Sequence, residues 1–202
     1  MRKLIFFVAV LIVSLNVNAQ KIGVKGGLNL SNTVTDDPSG TYHFKPGINA
    51  SMFFQKSFVS FFSIRPEIGY YQKGGKNIYS TFLGEVTKLT TLNYLQFGVD
   101  ARFRVPFIPI YVLAGPYGAY ALSGENEIIS GVKTEIDFAK DKTVPYDFGL
   151  AGGVGFIHKF TVLTFFVEFK YEMGMVDTYG YSSQTFVKNR NLIFSTGVMI
   201  GL

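Results

Sequence analysis

The chain has 202 residues, suits a single domain, and carries 19 basic against 14 acidic side chains with no cysteine. That composition excludes a disulfide framework, a thiolate metal site and a thiol nucleophile. The charge excess is too mild to argue for nucleic acid as a partner.

The first residues read as an export signal. Arg2 and Lys3 form a positive start, residues 4–15 an apolar stretch short of a comfortable bilayer span, and Val17-Asn18-Ala19 a cleavage site. Cleavage after Ala19 divides the chain into a signal peptide, 1–19, and a mature domain, 20–202. Removing Arg2 and Lys3 leaves 17 basic against 14 acidic residues, a net charge of +3. No later segment approaches the length of a transmembrane helix.

From residue 21 the pattern has period two, not 3.6. In 21–32, Ile22, Val24, Leu28 and Leu30 share one face; Lys21, Gly23, Lys25, Gly27, Asn29 and Ser31 share the other. A polar connection, 33–41, follows, with turn chemistry at Asp36-Asp37-Pro38-Ser39-Gly40. The second run, 42–54, sets Tyr42, Phe44, Ile48, Ala50 and Met52 against His43, Lys45, Gly47, Asn49 and Ser51. A brief turn is expected at 55–57. The third run ends near Lys73 and sets Phe62, Ile64, Ile68 and Tyr70 against Ser63, Arg65, Glu67, Gly69, Tyr71 and Lys73. Pro46 and Pro66 fall on the apolar faces and predict bulges or kinks, since proline cannot donate to a ladder.

Residues 74–87 form a second long connection. The fourth run, 88–103, directs Leu89, Leu95, Phe97, Val99, Ala101 and Phe103 outward and Thr90, Tyr94, Gln96, Gly98, Asp100 and Arg102 inward. A short proline-bearing turn, 104–109, leads to a fifth run with Ile110, Val112, Ala114 and Leu122 opposite Tyr111, Gly115, Tyr117 and Ala119. The longest connection, 123–144, is charged, and part of it is expected to prolong its neighbouring strands. The sixth run, 145–157, has Phe148, Leu150, Val154 and Phe156 against Asp147, Gly149, Ala151, Gly153 and Gly155. After a tight turn at 158–161, the seventh sets Phe165, Val167, Phe169, Tyr171 and Met173 against Thr164, Glu168, Lys170 and Glu172. A fourth long connection, 174–188, precedes the last run, 189–202, where Leu192, Phe194, Val198 and Ile200 alternate with Ser195, Gly197, Met199 and Gly201.

About eight strands result, joined by connections that are alternately short and long. Turns and loops therefore fall at opposite ends, with both termini at the short-turn end. This is the layout of an eight-stranded antiparallel up-and-down transmembrane β-barrel, all-β, with short periplasmic turns and long exterior loops. The large apolar face suits lipid and the Gly-rich, charged face suits a narrow interior; a soluble lipocalin-like barrel reverses the two. Closure satisfies the backbone in lipid.

Several of these runs resemble one known family. Gly23-Val24-Lys25-Gly26-Gly27-Leu28-Asn29-Leu30-Ser31-Asn32 is similar to the opening strand of the PorT-like outer-membrane β-barrel family. So, in the same order, are Arg65-Pro66-Glu67-Ile68-Gly69-Tyr70 through Gln72-Lys73-Gly74, then Asn93-Tyr94-Leu95-Gln96-Phe97, then Ala114-Gly115-Pro116-Tyr117, and Phe148-Gly149-Leu150 leading into Gly152-Gly153-Val154-Gly155. Two positions depart from the pattern: Gly98, where the family often has proline, and Leu202, where many outer-membrane barrels end in an aromatic residue. The resemblance implies a small integral barrel of the Gram-negative outer membrane and no single shared activity.

The expected lumen charges are Lys25, Lys45, Arg65, Lys73, Arg102 and Lys170 against Glu67, Asp100, Asp147, Glu168 and Glu172. Near balance favours ion pairing across the interior over a conducting pore, which more naturally shows one dominant sign. Arg65 and Glu67 are the expected central pair, with Glu168 and Lys170 facing them. His43 and His158 lie at opposite ends of this topology and have no base-orienting partner, so no enzymatic site is expected. Tyr42, Phe44, Phe53, Tyr70 and Tyr120 are read as an interfacial aromatic girdle. The expectation is a monomeric structural or surface-interaction barrel without cofactor or metal. Its partners are outer-membrane lipid, the barrel-assembly machinery and an envelope or extracellular contact through the long loops. A small-solute, porin-like channel is the alternative.

Overall fold

Residues 163–174 show why this sequence makes strands. Every odd-numbered side chain there is exposed and every even-numbered one buried, as a wall with a lipid face and a packed inner face requires. The computed structural model describes residues 20–35, 40–81, 84–128, 132–138, 144–177 and 187–202. The expected signal at 1–19 and the middle of the last long connection lie outside them.

Ten strands occur among the described residues. They are β1 (Gln20–Thr35), β2 (Gly40–His43), β3 (Lys45–Val59), β4 (Phe62–Thr81) and β5 (Gly84–Arg104), then β6 (Ile110–Ile128), β7 (Val132–Glu135), β8 (Tyr146–Lys159), β9 (Leu163–Gly174) and β10 (Val187–Gly201). β2 prolongs β3 along β4, and β7 prolongs β8 along β6, so ten strands make eight staves. Their order around the wall is β1, β3, β4, β5, β6, β8, β9, β10 and back to β1, antiparallel throughout. Lys21 opposite Gly201 closes the ring. The fold is an eight-stranded antiparallel barrel with no free edge around its waist.

Several boundaries differ from the expectation. β3 does not turn at 55–57 but continues to Val59, with a bulge at Phe58 and the reversal at Ser60 and Phe61. Polar Gln55 and Ser57 read as a turn, but they point into the barrel mouth. β8 likewise runs to Lys159, which moves the last tight turn to 160–162. Most of 74–87 is not a loop: β4 and β5 stay paired out to Thr81 opposite Gly84. Such a strand extension outside the bilayer has no lipid face to satisfy, so its alternation fades.

The two prolines behave differently. Five residues, 44–48, lie opposite four, 72–75, which is the bulge expected at Pro46. Nearby, Gly74 takes φ +137°, a backbone conformation glycine tolerates. Pro66 makes no bulge: the pairs Phe53–Glu67 and Lys56–Ile64 keep one register around it, and Pro66 itself sits opposite Val99. The missing donor interrupts only the rungs at 54 and 55 toward β3.

The barrel interior carries apolar packing as well as charge. At the short-turn end Phe53, Tyr111, Leu113, Ile157, Phe166 and Met199 form one cluster. At the long-loop end Leu92, Tyr94, Ala119, Ala121 and Ile136 form another, with Phe138 against it. Phe53 thus leaves the expected girdle; it is 5% exposed and meets Phe166 edge-on at 5.5 Å. Phe44 and Tyr120 are exposed, Tyr70 is half-buried and donates to Asn93 Oδ1 at 2.7 Å, and the Tyr42 side chain lies outside the described residues. Glycine makes room for the inward rings: a Cβ on Gly155 would sit 2.2 Å from the Tyr111 ring, and one on Gly23 2.4 Å from that of Phe53.

Candidate functional site: the charged lumen

Ring order places β4 and β9 diametrically opposite, four staves apart either way. Inward side chains two residues apart on each strand therefore meet in the middle. Arg65 Nη1 donates to Glu168 Oε1 at 2.5 Å and Nη2 to Asp100 Oδ2 at 2.8 Å, with Glu67 Oε2 at 3.5 Å. Lys170 Nζ returns across the lumen to Glu67 Oε1 at 2.9 Å and reaches Asp100 Oδ2 at 3.3 Å. From β1, Lys25 Nζ completes the set, 2.6 Å from Glu67 Oε2 and 3.2 Å from Glu168 Oε2. Tyr71 and Tyr111 add hydroxyl donors to Glu67 and Glu168 at 3.1 and 2.9 Å. Lys25, Arg65 and Lys170 thus balance Glu67, Asp100 and Glu168, and each of the six is at most 5% exposed. The Arg65 guanidinium also lies 5.0 Å from the Phe53 ring centroid and 6.0 Å from that of Phe166.

Lys73 organises a second group. Its Nζ is 3.1 Å from Glu172 Oε2 and 3.3 Å from Asp147 Oδ2, and it stands 4.3 Å from the Tyr117 ring centroid. One cation faces two carboxylates here, and neutral donors complete Glu172 and add to Asp147 Oδ2, while Asp147 Oδ1 meets no donor among the described residues. Gln96 and Asn191 donate to Glu172 at 2.7 and 3.3 Å; Tyr117 and Asn189 donate to Asp147 at 3.3 and 3.2 Å. In a low-dielectric interior, each carboxylate lone pair without a donor is costly, so the amides belong to the charge arrangement as much as the lysine does.

The structure brings Lys25, Arg65, Glu67, Asp100, Glu168 and Lys170 into one network, and Asp147 and Glu172 into the neighbouring one with Lys73. It separates two expected members. Lys45 is half-buried at the long-loop end, in electrostatic reach of Glu125 and Glu127 instead. Arg102 is buried at the short-turn end, donating to Gln55 Oε1 and stacking 3.8 Å from the Tyr111 centroid. His43 and His158 are exposed at opposite ends, the latter against Phe160. Residue-by-residue reading missed the inward Leu92, Leu113 and Phe166. Each has the parity of inward neighbours, which is the signal that finds them.

An all-antiparallel closed wall, apolar outside and ion-paired inside, is a membrane barrel's arrangement of polarity. The sequence matches the outer membrane protein beta-barrel domain over residues 18–180. The chain belongs to that family. Its members are outer-membrane barrels of Gram-negative bacteria. Among solved structures it is similar to neisserial surface protein A, at 11% identity and TM-score 0.49, covering 90% of this chain and 97% of that one. It is also similar to Ail, the attachment invasion locus protein of Yersinia pestis, at 13% identity and TM-score 0.48, covering 90% and 99%. OprG of Pseudomonas aeruginosa gives 11% identity and TM-score 0.42 over 91% and 97%. No curated protein sequence shows a significant match.

Beyond the membrane wall the electrostatics change character. Lys133 on β7 pairs with Glu125 at 2.8 Å, and the same carboxylate, by hydrogen bond and charge, holds the lysine above its ordinary range. Both side chains are exposed, so Glu127→Gln beside them should leave urea unfolding almost unchanged.

Proposed function

We propose that this protein is a non-enzymatic, non-conducting barrel of the PorT-like kind. On this reading its signal is cleaved after Ala19 and its lumen is plugged by paired charge. Its role is structural or is exerted through surfaces outside the membrane. The observation that carries this is the pair of contacts across the full width of the lumen, Arg65 to Glu168 and Lys170 to Glu67. A solute path has to pass between them, and opening one means separating buried ions. The extended hairpin of β4 and β5 and the β6–β7 pairing raise strand surface above the bilayer, where an envelope or extracellular partner would dock. Outer-membrane lipid and the assembly machinery are the other expected partners.

Single-channel recording of the refolded protein in planar bilayers tests this directly. Rare or no openings are expected; a stable, large conductance favours the small-solute channel. The same preparation should run as a heat-modifiable monomer in detergent gels. Recovery as a water-soluble protein without detergent would remove the membrane reading altogether.

A further inference from the structure

The short-turn mouth of the barrel holds a cavity of about 300 Å³ lined by Lys21, Arg102, Arg104 and Lys159, with Gln55 and Tyr111 among its polar walls. Among the described residues no Asp or Glu lines it. The cations are near enough that Lys159, Arg102 and Arg104 all repel Lys21. This departs sharply from the balanced lumen above, where every cation meets a carboxylate.

Arg102 shows that the cavity is built rather than incidental. It is 4% exposed, and its Nε–H has no acceptor among the described residues. Among the described residues no carboxylate lies at ion-pair distance from it, and Glu168, which it feels at longer range, is already held by Arg65, Lys25 and Tyr111. A buried guanidinium with an idle N–H, flanked by three further cations, is an arrangement that an anion with several acceptor oxygens completes. Beside it lies a second hollow of about 450 Å³ that shares Ser60, Phe61 and Arg104 and is otherwise walled by Pro106, Phe107, Ile108 and Pro109. Phe107 at its rim is fully exposed, with φ 67°.

We propose that this mouth binds a phosphate group. The guanidiniums of Arg102 and Arg104 supply forked donors matched to phosphate oxygens, and Lys21 and Lys159 supply charge. The group is carried either by a phospholipid, whose glycerol and acyl portion would occupy the adjoining apolar hollow, or by a free phosphate. The site stands whether or not the lumen conducts.

The test uses the refolded full chain in uncharged, phosphate-free maltoside micelles at constant ionic strength. The Arg102 Nε–Hε resonance is followed by NMR. The probes are inorganic phosphate, dioctanoyl-phosphatidylglycerol and, lacking the phosphate, dioctanoylglycerol. The resonance is expected to move saturably with phosphate-bearing probes and not with dioctanoylglycerol. Tighter binding of the phosphatidylglycerol identifies a lipid headgroup as the source; equal binding identifies the free group. Arg104 and Lys159 are exposed, so the double variant Arg104→Gln/Lys159→Gln should fold normally and bind about tenfold more weakly through loss of charge-assisted contacts. No movement with either phosphate probe, equal movement with dioctanoylglycerol, or undiminished binding by the double variant would overturn the proposal.

Discussion

Arg65→Met should cost about 3–5 kcal/mol of stability in lipid vesicles, the range for removing one partner from a buried ion cluster. The substitution keeps an unbranched, polarizable chain against Phe53 and Phe166, so packing loss is small beside the charge effect. It leaves Glu67, Asp100 and Glu168 with only Lys25 and Lys170. Adding Glu168→Gln restores the balance and still lets Tyr111 donate to the new amide oxygen. The double variant should therefore be more stable than Arg65→Met alone, an inversion that a purely steric defect would not produce. Urea unfolding of the parent, both single variants and the double variant measures this. A loss for Arg65→Met no larger than for Glu127→Gln would mean that water screens the lumen.

Val167→Arg carries the other large effect, on the opposite side of the wall. Val167 is exposed outward from β9, with Phe165 before it and Phe169 after it on the same face. A cation near the bilayer midplane on such a face costs roughly 2–4 kcal/mol, falling toward zero at the interfaces. Thr134→Arg on β7 places the same side chain on an exposed extension and should change little. The two variants compared by unfolding in vesicles read out the depth of each site. Equal stability would displace β9 from the membrane or reverse its faces.

How far the fold was readable depends on which residues meet lipid. In β9 each outward position is apolar and each inward one polar except Phe166 and Gly174, so strand, face and partner across the lumen all followed from parity. The facing of Glu168 and Lys170 toward Arg65 and Glu67 was accessible for the same reason: four staves of eight is half a turn. Parity also explains the failures. An aromatic near a run's end, Phe53 suggests a girdle residue, yet its odd number places it with Ser51 and Gln55, inside. Residues 74–87 lack the alternation because they lie beyond the lipid-facing band, and a strand without a lipid face resembles a loop. Arg102 and Lys45 have the inward parity of the network, but their heights along the wall, set by strand stagger, place them at its two mouths. Stagger is fixed by pairing between strands, which no single strand's pattern contains.

The ring is closed by the pairing of β1 with β10, the first and last strands of the described chain. That places a constraint on time as well as on shape. A chain arriving in order presents β1 first, yet one edge of β1 has no mate until residues 187–201 arrive. Until then both lips of the curled sheet are open templates for other strands. Long-range pairing of this kind is intrinsically slow. Holding the two lips apart from foreign strands, and then bringing them together, is therefore the step at which biogenesis most needs help. Joining Gln20 to Leu202 and opening the chain at the 160–162 turn would move that step to β8 and β9 while leaving every contact in the finished wall intact.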